Sequence, residues 1–334
     1  MTYNATIARN HAAPAVQPID VRSSVIPVNT SRRLGGWLDA RLSARPIAGY
    51  QRNHPAVPNI RWLQTRAGLI RVFDSGGKLP CVLITPDGPN VIEHYVGLIK
   101  LLSPQLRVVC FDMPGFGLSA PSAAYDHSLE HGATAILELL DQLAISKATL
   151  AFSCANGFYA LRVAQLAPQR ISSLLLSQTP SVEAMHRWTD RVVPGILKVP
   201  VLGQLLCRLF RQKMAVSWYR IALPKSRNEA AFRDTARSAF RCGGCFSLAG
   251  VVQGLLREPL DAAQGGTAPC NGIWGQQDRS HRLTDVQALL HDVPHAKLLT
   301  FDESGHFPDL EEPSRFAQLL LEQVARHGKT QAHA

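Results

Sequence analysis

A chain of 334 residues is long enough for one large α/β domain carrying an insertion, or for two domains. No stretch approaches the roughly 18 uninterrupted apolar residues of a membrane span, and the start of the chain lacks the compact apolar core of a secretory signal. A soluble, cytoplasmic protein that does not enter a membrane is therefore expected. The formal net charge of +10 is unevenly placed: residues 1–58 hold seven arginines against two aspartates, and residues 181–262 hold thirteen Lys and Arg against six Asp and Glu. The remainder is near neutral, so the basic charge reads either as solvated surface or as a docking face for an acidic partner. No helix-turn-helix, zinc-finger or RNA-binding signature accompanies it, and nucleic acid is not expected as a partner.

Residues 1–58 are rich in Pro, Asn, Ser and Arg with little periodicity, apart from a short helix expected around 37–42. That composition reads as a basic N-terminal extension, partly disordered or wrapped on the surface. Residues 59–65 and 68–74 are two apolar runs around a short turn, an antiparallel hairpin at a sheet edge. Strand patterns follow at 81–85, 105–112, 147–152, 171–177, 268–275 and 296–301, with helical periodicity at 93–102, 128–143 and 284–291. Such alternation predicts a mainly parallel, doubly wound α/β sheet with ligands at the carboxyl ends of its strands. Residues 181–262 break the rhythm. They are strand-poor and helix-rich, with Met185, Trp188, Leu205, Leu206, Leu209, Phe210, Trp218 and Tyr219 among the arginines. This segment reads as a helical lid inserted after the sixth strand, roofing a site built on a core of 59–180 and 263–334.

Four phrases carry chemistry in chain order. Asp112-Met113-Pro114-Gly115-Phe116-Gly117-Leu118-Ser119 follows the fourth strand, and Ala151-Phe152-Ser153-Cys154-Ala155-Asn156-Gly157 joins the fifth strand to a helix. Trp274-Gly275-Gln276-Gln277-Asp278 follows the seventh strand, and Gly305-His306-Phe307 follows the eighth. Together they resemble the α/β-hydrolase superfamily over about residues 59–327, where a strained strand-to-helix elbow presents a nucleophile and the order is nucleophile, acid, histidine. The resemblance implies Cys154 as nucleophile, His306 as its base and Asp278 as the carboxylate that orients the imidazole. Two registers compete for the elbow. Small flanking residues favour Ser153, whose neighbours at two removes are Ala151 and Ala155, whereas the family's usual interval to Pro168-Gln169-Arg170-Ile171 favours Cys154 and leaves Ser153 beside the substrate. Phe152 and Asn156, larger than the family prefers, then point to a remodelled acyl pocket.

The thiolate is the reactive form, and a free thiol with pKa about 8.5 is only a few per cent ionised at neutral pH, so Cys154 needs an imidazole within reach. By the same resemblance, the amides of Gly88 and Ala155 form the oxyanion hole, but the usual His-Gly pair is replaced by Pro86-Asp87, and Pro86 has no N–H to give. Asp87 is either a turn aspartate in Asp-Gly-Pro or a substrate-binding group for an ammonium. Cys242-Gly243-Gly244-Cys245 is a lone C-x-x-C without a second pair at zinc spacing, and no metal site is expected there or elsewhere. The seven cysteines form no disulfide framework, which fits a reducing compartment. No role attaches to His281, Asp302 or Glu303. Dinucleotide and phosphate-loop fingerprints are absent, and no bound cofactor is implied.

A cysteine elbow gives an acyl thioester, and thiol-to-thiol exchange is close to energetically neutral, which favours transfer over hydrolysis. The combination resembles the cysteine-dependent aminoacyltransferases of nonribosomal peptide biosynthesis. That resemblance implies an aminoacyl group moved between the phosphopantetheine arms of acidic carrier proteins through a thioester on Cys154. The alternatives are an esterase or thioesterase using Cys154, and a non-catalytic small-molecule-binding protein on the same fold.

Overall fold

A computed structural model describes residues 30–264 and 266–328 of the chain. Residues 1–29, the first half of the expected extension, and 329–334 lie outside the described residues.

The sheet has the order β1-β2-β4-β3-β7-β8-β10-β11, with the short β6 (Ala120–Pro121) also pairing to β2. Here β1 is Ile60–Thr65, β2 Gly68–Asp74, β3 Cys81–Thr85 and β4 Arg107–Phe111. β7 is Ala148–Ser153, β8 Ile171–Ser177, β10 Cys270–Gly275 and β11 Lys297–Phe301. The hairpin β1–β2 sits at one edge and is antiparallel, as is β2–β4, while the strands from β4 to β11 along that order run parallel. This is the mainly parallel α/β sheet expected from strand and helix alternation. Strands β3 and β7 are buried along their whole length, which is why they read as mostly apolar runs rather than as alternation. Successive side chains feed opposite cores. Leu83, Leu150 and Leu174 pack with α3 (Leu129–Gln142) and α4 (Asn156–Leu166), and Val82, Ile84, Ala151 and Leu175 pack with α2 (Val96–Leu102) and α11 (Pro313–Gly328).

The phrase after β4 folds back on itself. Asp112 is fully buried and its carboxylate accepts from the amides of Leu118 and Ile92 at 3.0 and 3.2 Å. Gly117 has φ +51°, and a Cβ there would meet that carboxylate at 2.3 Å, so only glycine closes the turn. The Asp-x-Pro-Gly-x-Gly pattern is thus a scaffold on which the next residues are hung.

Residues 181–262 cross the carboxyl ends of the strands as α5 (Val182–Val192), α6 (Leu202–Ala222), α7 (Glu229–Arg241) and α8 (Leu248–Gln253), helices that follow β8. Ser181 starts α5 by accepting from the Ala184 amide. A two-stranded ribbon of β5 (Phe116–Gly117) and β9 (Cys245–Phe246) staples this segment to the loop after β4.

Residues 30–53 depart from expectation. In place of a short helix at 37–42 in an extension either partly disordered or wrapped on the surface, they form a 24-residue helix, α1 (Thr30–Asn53), with Pro46 inside it. Its inward face is Gly35, Gly36, Asp39, Ser43 and Ile47, all buried, whereas Trp37 is half exposed. Small and polar residues at four-residue spacing leave no apolar stripe to read in sequence. Gly35 approaches Gln204 of α6 and Gly36 the Tyr125 carbonyl, so the helix is packed between lid and core. All seven cysteines are free thiols, six of them buried. Among the described residues no helix is long and apolar enough to cross a membrane.

Candidate active site

The backbone decides which residue stands at the elbow. Cys154 has φ +53°, a left-handed conformation that a non-glycine residue adopts only when its surroundings hold it there. Those surroundings are visible: the Cys154 amide donates to the Ser177 carbonyl at 2.7 Å, and Thr179 Oγ1 donates to the Cys154 carbonyl at 2.9 Å. Gly157 supplies the missing space, because a Cβ there would lie 2.2 Å from Thr179 Oγ1. Ser153, by contrast, is the last residue of β7. It was expected to touch substrate, but it is buried, points to the other side of the sheet and lies 3.4 Å from Asp309 Oδ2, outside the cavity lining. Pleat alternation separates the two residues, and the strand end turns Ser153 into a polar layer with Tyr95, whose hydroxyl donates to the same Asp309 oxygen at 2.8 Å.

His306 is fully buried on the loop after β11, and its ring, the Cys154 sulfur and a nitrogen of His281 each lie within 4.8 Å of the other two. Its Nδ1 is 2.5 Å from Asp278 Oδ2. Asp278 is held in turn. Gln178 Nε2 donates to Oδ2 at 2.7 Å, and the Ser280 amide and hydroxyl donate to Oδ1 at 2.8 and 2.7 Å. Burial alone would raise the Asp278 carboxyl, but His306, His281 and Ser280 together hold it well below the usual carboxylate range. Gln178 and Ser280 were not singled out in the sequence. The Asp-x-Ser spacing is a turn signal that could have found Ser280, whereas Gln178 meets Asp278 only because β8 and β10 are neighbours.

The second ring nitrogen faces a group that sequence left open. Asp87 Oδ2 lies 3.1 Å from His306 Nε2, so one imidazole sits between two carboxylates. Burial opposes charge on His306, but Asp278, the Cys154 sulfur and Asp87 outweigh it and the ring is held well above the ordinary histidine range. Burial raises Asp87, partly offset by His306. Burial also pushes the Cys154 thiol up and Asp87 adds to the push, while His306 and the Ala155 amide pull it down. Cys154 and His306 are therefore arranged for proton exchange, with Asp87 competing for the same Nε2.

Gly88 and Ala155 both line the cavity beside Cys154, and among the described residues neither amide is spent on a backbone acceptor. Asn156 Nδ2 donates to the Pro86 carbonyl at 3.3 Å and ties the two segments together. The cavity above has a volume of about 480 Å³ and is mostly apolar, walled by lid residues such as Met185, Trp188, Phe210 and Trp218. Among the described residues Asp87 is the one carboxylate on its wall and Lys213 the one cation. Phe152 does not reach this cavity; it packs in the core against Phe111 at 6.0 Å, so of the two oversized elbow residues only Asn156 shapes the pocket. Cys242 and Cys245 lie away from it.

The chain is similar to known proteins over most of its length. The chain is 28% identical over 276 residues to the dihydrolipoyllysine-residue acetyltransferase component of the acetoin cleaving system of Pseudomonas putida, covering 78% of this chain and 67% of that one. It is 25% identical over 266 residues to a 2-hydroxy-6-oxononadienedioate/2-hydroxy-6-oxononatrienedioate hydrolase of Paraburkholderia phymatum, covering 75% and 88%. Among solved structures, epoxide hydrolase A from Mycobacterium thermoresistibile superposes with a TM-score of 0.68 at 16% identity, covering 80% of this chain and 98% of that one. Residues 82–319 match the Alpha/beta hydrolase family, and the chain belongs to that family.

Proposed function

We propose that this protein is an acyltransferase that accepts an acyl group from a thioester onto Cys154 and passes it to a second thiol. The observation that carries the reading is a thiol, not a hydroxyl, at the strained elbow, close to an imidazole backed by a carboxylate. Loading proceeds as Cys154 gives its proton to His306 and the thiolate attacks the donor carbonyl, with the oxygen facing the Gly88 and Ala155 amides. The donor's carbon–sulfur bond breaks, its sulfur takes the proton from His306, and Cys154 holds the acyl group as a thioester. An acceptor thiol reverses these steps. No oxidant, reductant or metal is needed.

An aminoacyl group suits the pocket best. A carboxylate beside a developing oxyanion is repulsive unless a positive charge neutralises it, and a substrate ammonium drawn to Asp87 would do so. It would also release His306 Nε2 from Asp87 and turn it toward the reacting sulfur. The apolar walls would take the amino-acid side chain. A phosphopantetheine arm on an acidic carrier protein fits as donor and acceptor, because the lid is basic and exposes Val199, Leu202, Leu205, Leu209 and Phe210, the last of which also lines the cavity. The second reading, an esterase or thioesterase, has in its favour that relatives of this chain carry hydrolase names.

Incubation with an aminoacyl-loaded carrier protein followed by intact mass measurement tests the proposal. Expected is an adduct of one aminoacyl group on Cys154, transferred when a free carrier protein is added. Absence of any adduct refutes both enzymatic readings, and loss of the adduct to water at the same rate with or without acceptor selects hydrolysis.

A further inference from the structure

His281 is unexplained by acyl transfer. It is 2% exposed, with Trp188 stacked on one side at 4.9 Å, Trp274 edge-on at 5.6 Å and the His306 ring at 5.4 Å. Its Nδ1 lies 3.1 Å from Thr284 Oγ1, while its Nε2 is buried with no hydrogen-bond partner among the described residues. A buried polar atom left unpaired costs about 1–3 kcal/mol, and nothing in the chemistry above uses this one. The orphan nitrogen belongs to a ring that lies within 4.8 Å, ligand atom to ligand atom, of both Cys154 and His306.

We infer that Cys154, His281 and His306 form a site for a borderline-soft divalent cation, with Zn²⁺ as its ligand of choice, that engages the thiolate and so blocks the elbow reversibly. A thiolate and two imidazoles are a donor set suited to Zn²⁺. Both imidazoles already have the outer partner that such ligands use: Asp278 on His306 Nδ1 and Thr284 on His281 Nδ1. Zinc–nitrogen bonds of about 2.0–2.1 Å and zinc–sulfur bonds of about 2.3 Å set the tetrahedral ligand separations at roughly 3.3–3.8 Å, so the three donors need only close in by side-chain motion. Asp87 Oδ2, 3.1 Å from His306 Nε2, or a water can complete the set. On binding, the Cys154 thiol releases its proton to solvent, the cation keeps its charge state, and the sulfur lone pair becomes unavailable for attack. The site stands whether or not Cys154 carries acyl groups, because the binding measurement below does not involve turnover.

Chelator-treated full-length protein would be titrated with Co²⁺ as a spectroscopic probe and with Zn²⁺ against a competing chromophoric chelator. Expected is one equivalent bound, a sulfur-to-cobalt charge-transfer band in the near ultraviolet and its displacement by Zn²⁺. Cys154→Ser should abolish the band, and His281→Phe and His281→Gln should each weaken binding by more than the about 10- to 100-fold that loss of an outer partner costs. Thr284→Val should fall within that range. Cys242→Ser, which removes the thiol 4.0 Å from His54, should leave the titration unchanged. Absence of the band in the wild-type protein overturns the proposal even if a variant fails to fold. So does unaltered affinity in the His281 variants, or loss of the band in Cys242→Ser.

Discussion

His306 Nε2 lies 3.1 Å from Asp87 Oδ2 while its Nδ1 lies 2.5 Å from Asp278 Oδ2, so a single imidazole is shared between two buried carboxylates. The Asp278 side is the arrangement that orients a catalytic histidine. The Asp87 side is what sets this chain apart, since it places negative charge where an acyl oxygen would gain its own. An incoming ammonium resolves the conflict. Asp87→Asn should therefore cut the preference for an aminoacyl over an N-acetyl-aminoacyl pantetheine thioester by about 10- to 100-fold, the worth of one charge-assisted hydrogen bond. Loading rates of the two donors, measured by mass, check this; an unchanged preference would remove Asp87 from substrate recognition.

Replacing the sulfur separates nucleophile from scaffold. Cys154→Ala should reduce loading more than about 1000-fold, whereas Cys154→Ser should load slowly and release its acyl group to water, because an oxygen ester no longer exchanges evenly with a thiol. Ser153→Ala should load like the wild type, given that its hydroxyl faces Asp309. Loading that survives Cys154→Ala but not Ser153→Ala would reverse the assignment.

The elbow's strain has a structural price at Gly157. A methyl there would sit 2.2 Å from Thr179 Oγ1, the hydroxyl that holds the Cys154 carbonyl. Gly157→Ala should lower stability by about 1–3 kcal/mol, as overpacking does, and slow alkylation of Cys154 by iodoacetamide as the elbow shifts. Combining it with Thr179→Ala should recover part of the stability in urea unfolding. No recovery in the double variant would mean that the two positions are not coupled.

The docking of α1 carries a pH signature. Burial pushes Asp39 up from 3.8 to about 7, with a hydrogen bond from Ser247 opposing it, and one of its oxygens has no partner among the described residues. The folded state thus keeps a proton that the unfolded chain releases near pH 4. Its contribution to stability is full below that pH, declines as pH rises toward 7 and is gone above. Asp39→Asn should stabilise the protein at pH 8, by up to about 4 kcal/mol for a three-unit shift, with the gain shrinking toward pH 5. Thermal unfolding at the two pH values checks it, and an equal gain at both would exclude the titration of Asp39 as its cause.

Much of this fold was legible before any coordinates. Parallel strands such as β3 and β7 are buried end to end and mostly apolar, and the phrases at Asp112, Trp274 and Gly305 mark the ends of β4, β10 and β11, so the succession of strands along the chain and the segment of lid helices followed from local pattern. The long α1 helix did not, because it buries Gly35, Gly36, Asp39 and Ser43 instead of an apolar stripe. The register of the elbow was split between two signals, since the small flanks Ala151 and Ala155 favoured Ser153 and the interval to Pro168 favoured Cys154.

The order of residues along the chain was enough to determine which side chains a strand end would carry to the catalytic edge, because hydrophobic period and turn chemistry act over a few neighbours. Tertiary structure alone decided which of them meet: that Cys154 and not Ser153 takes the left-handed turn, that Gln178 clamps Asp278, and that Asp87 and His281 close on His306 from loops nearly 200 residues apart. Those encounters depend on strand neighbours and on the free energy of burying charge, neither of which is written in any short stretch of sequence.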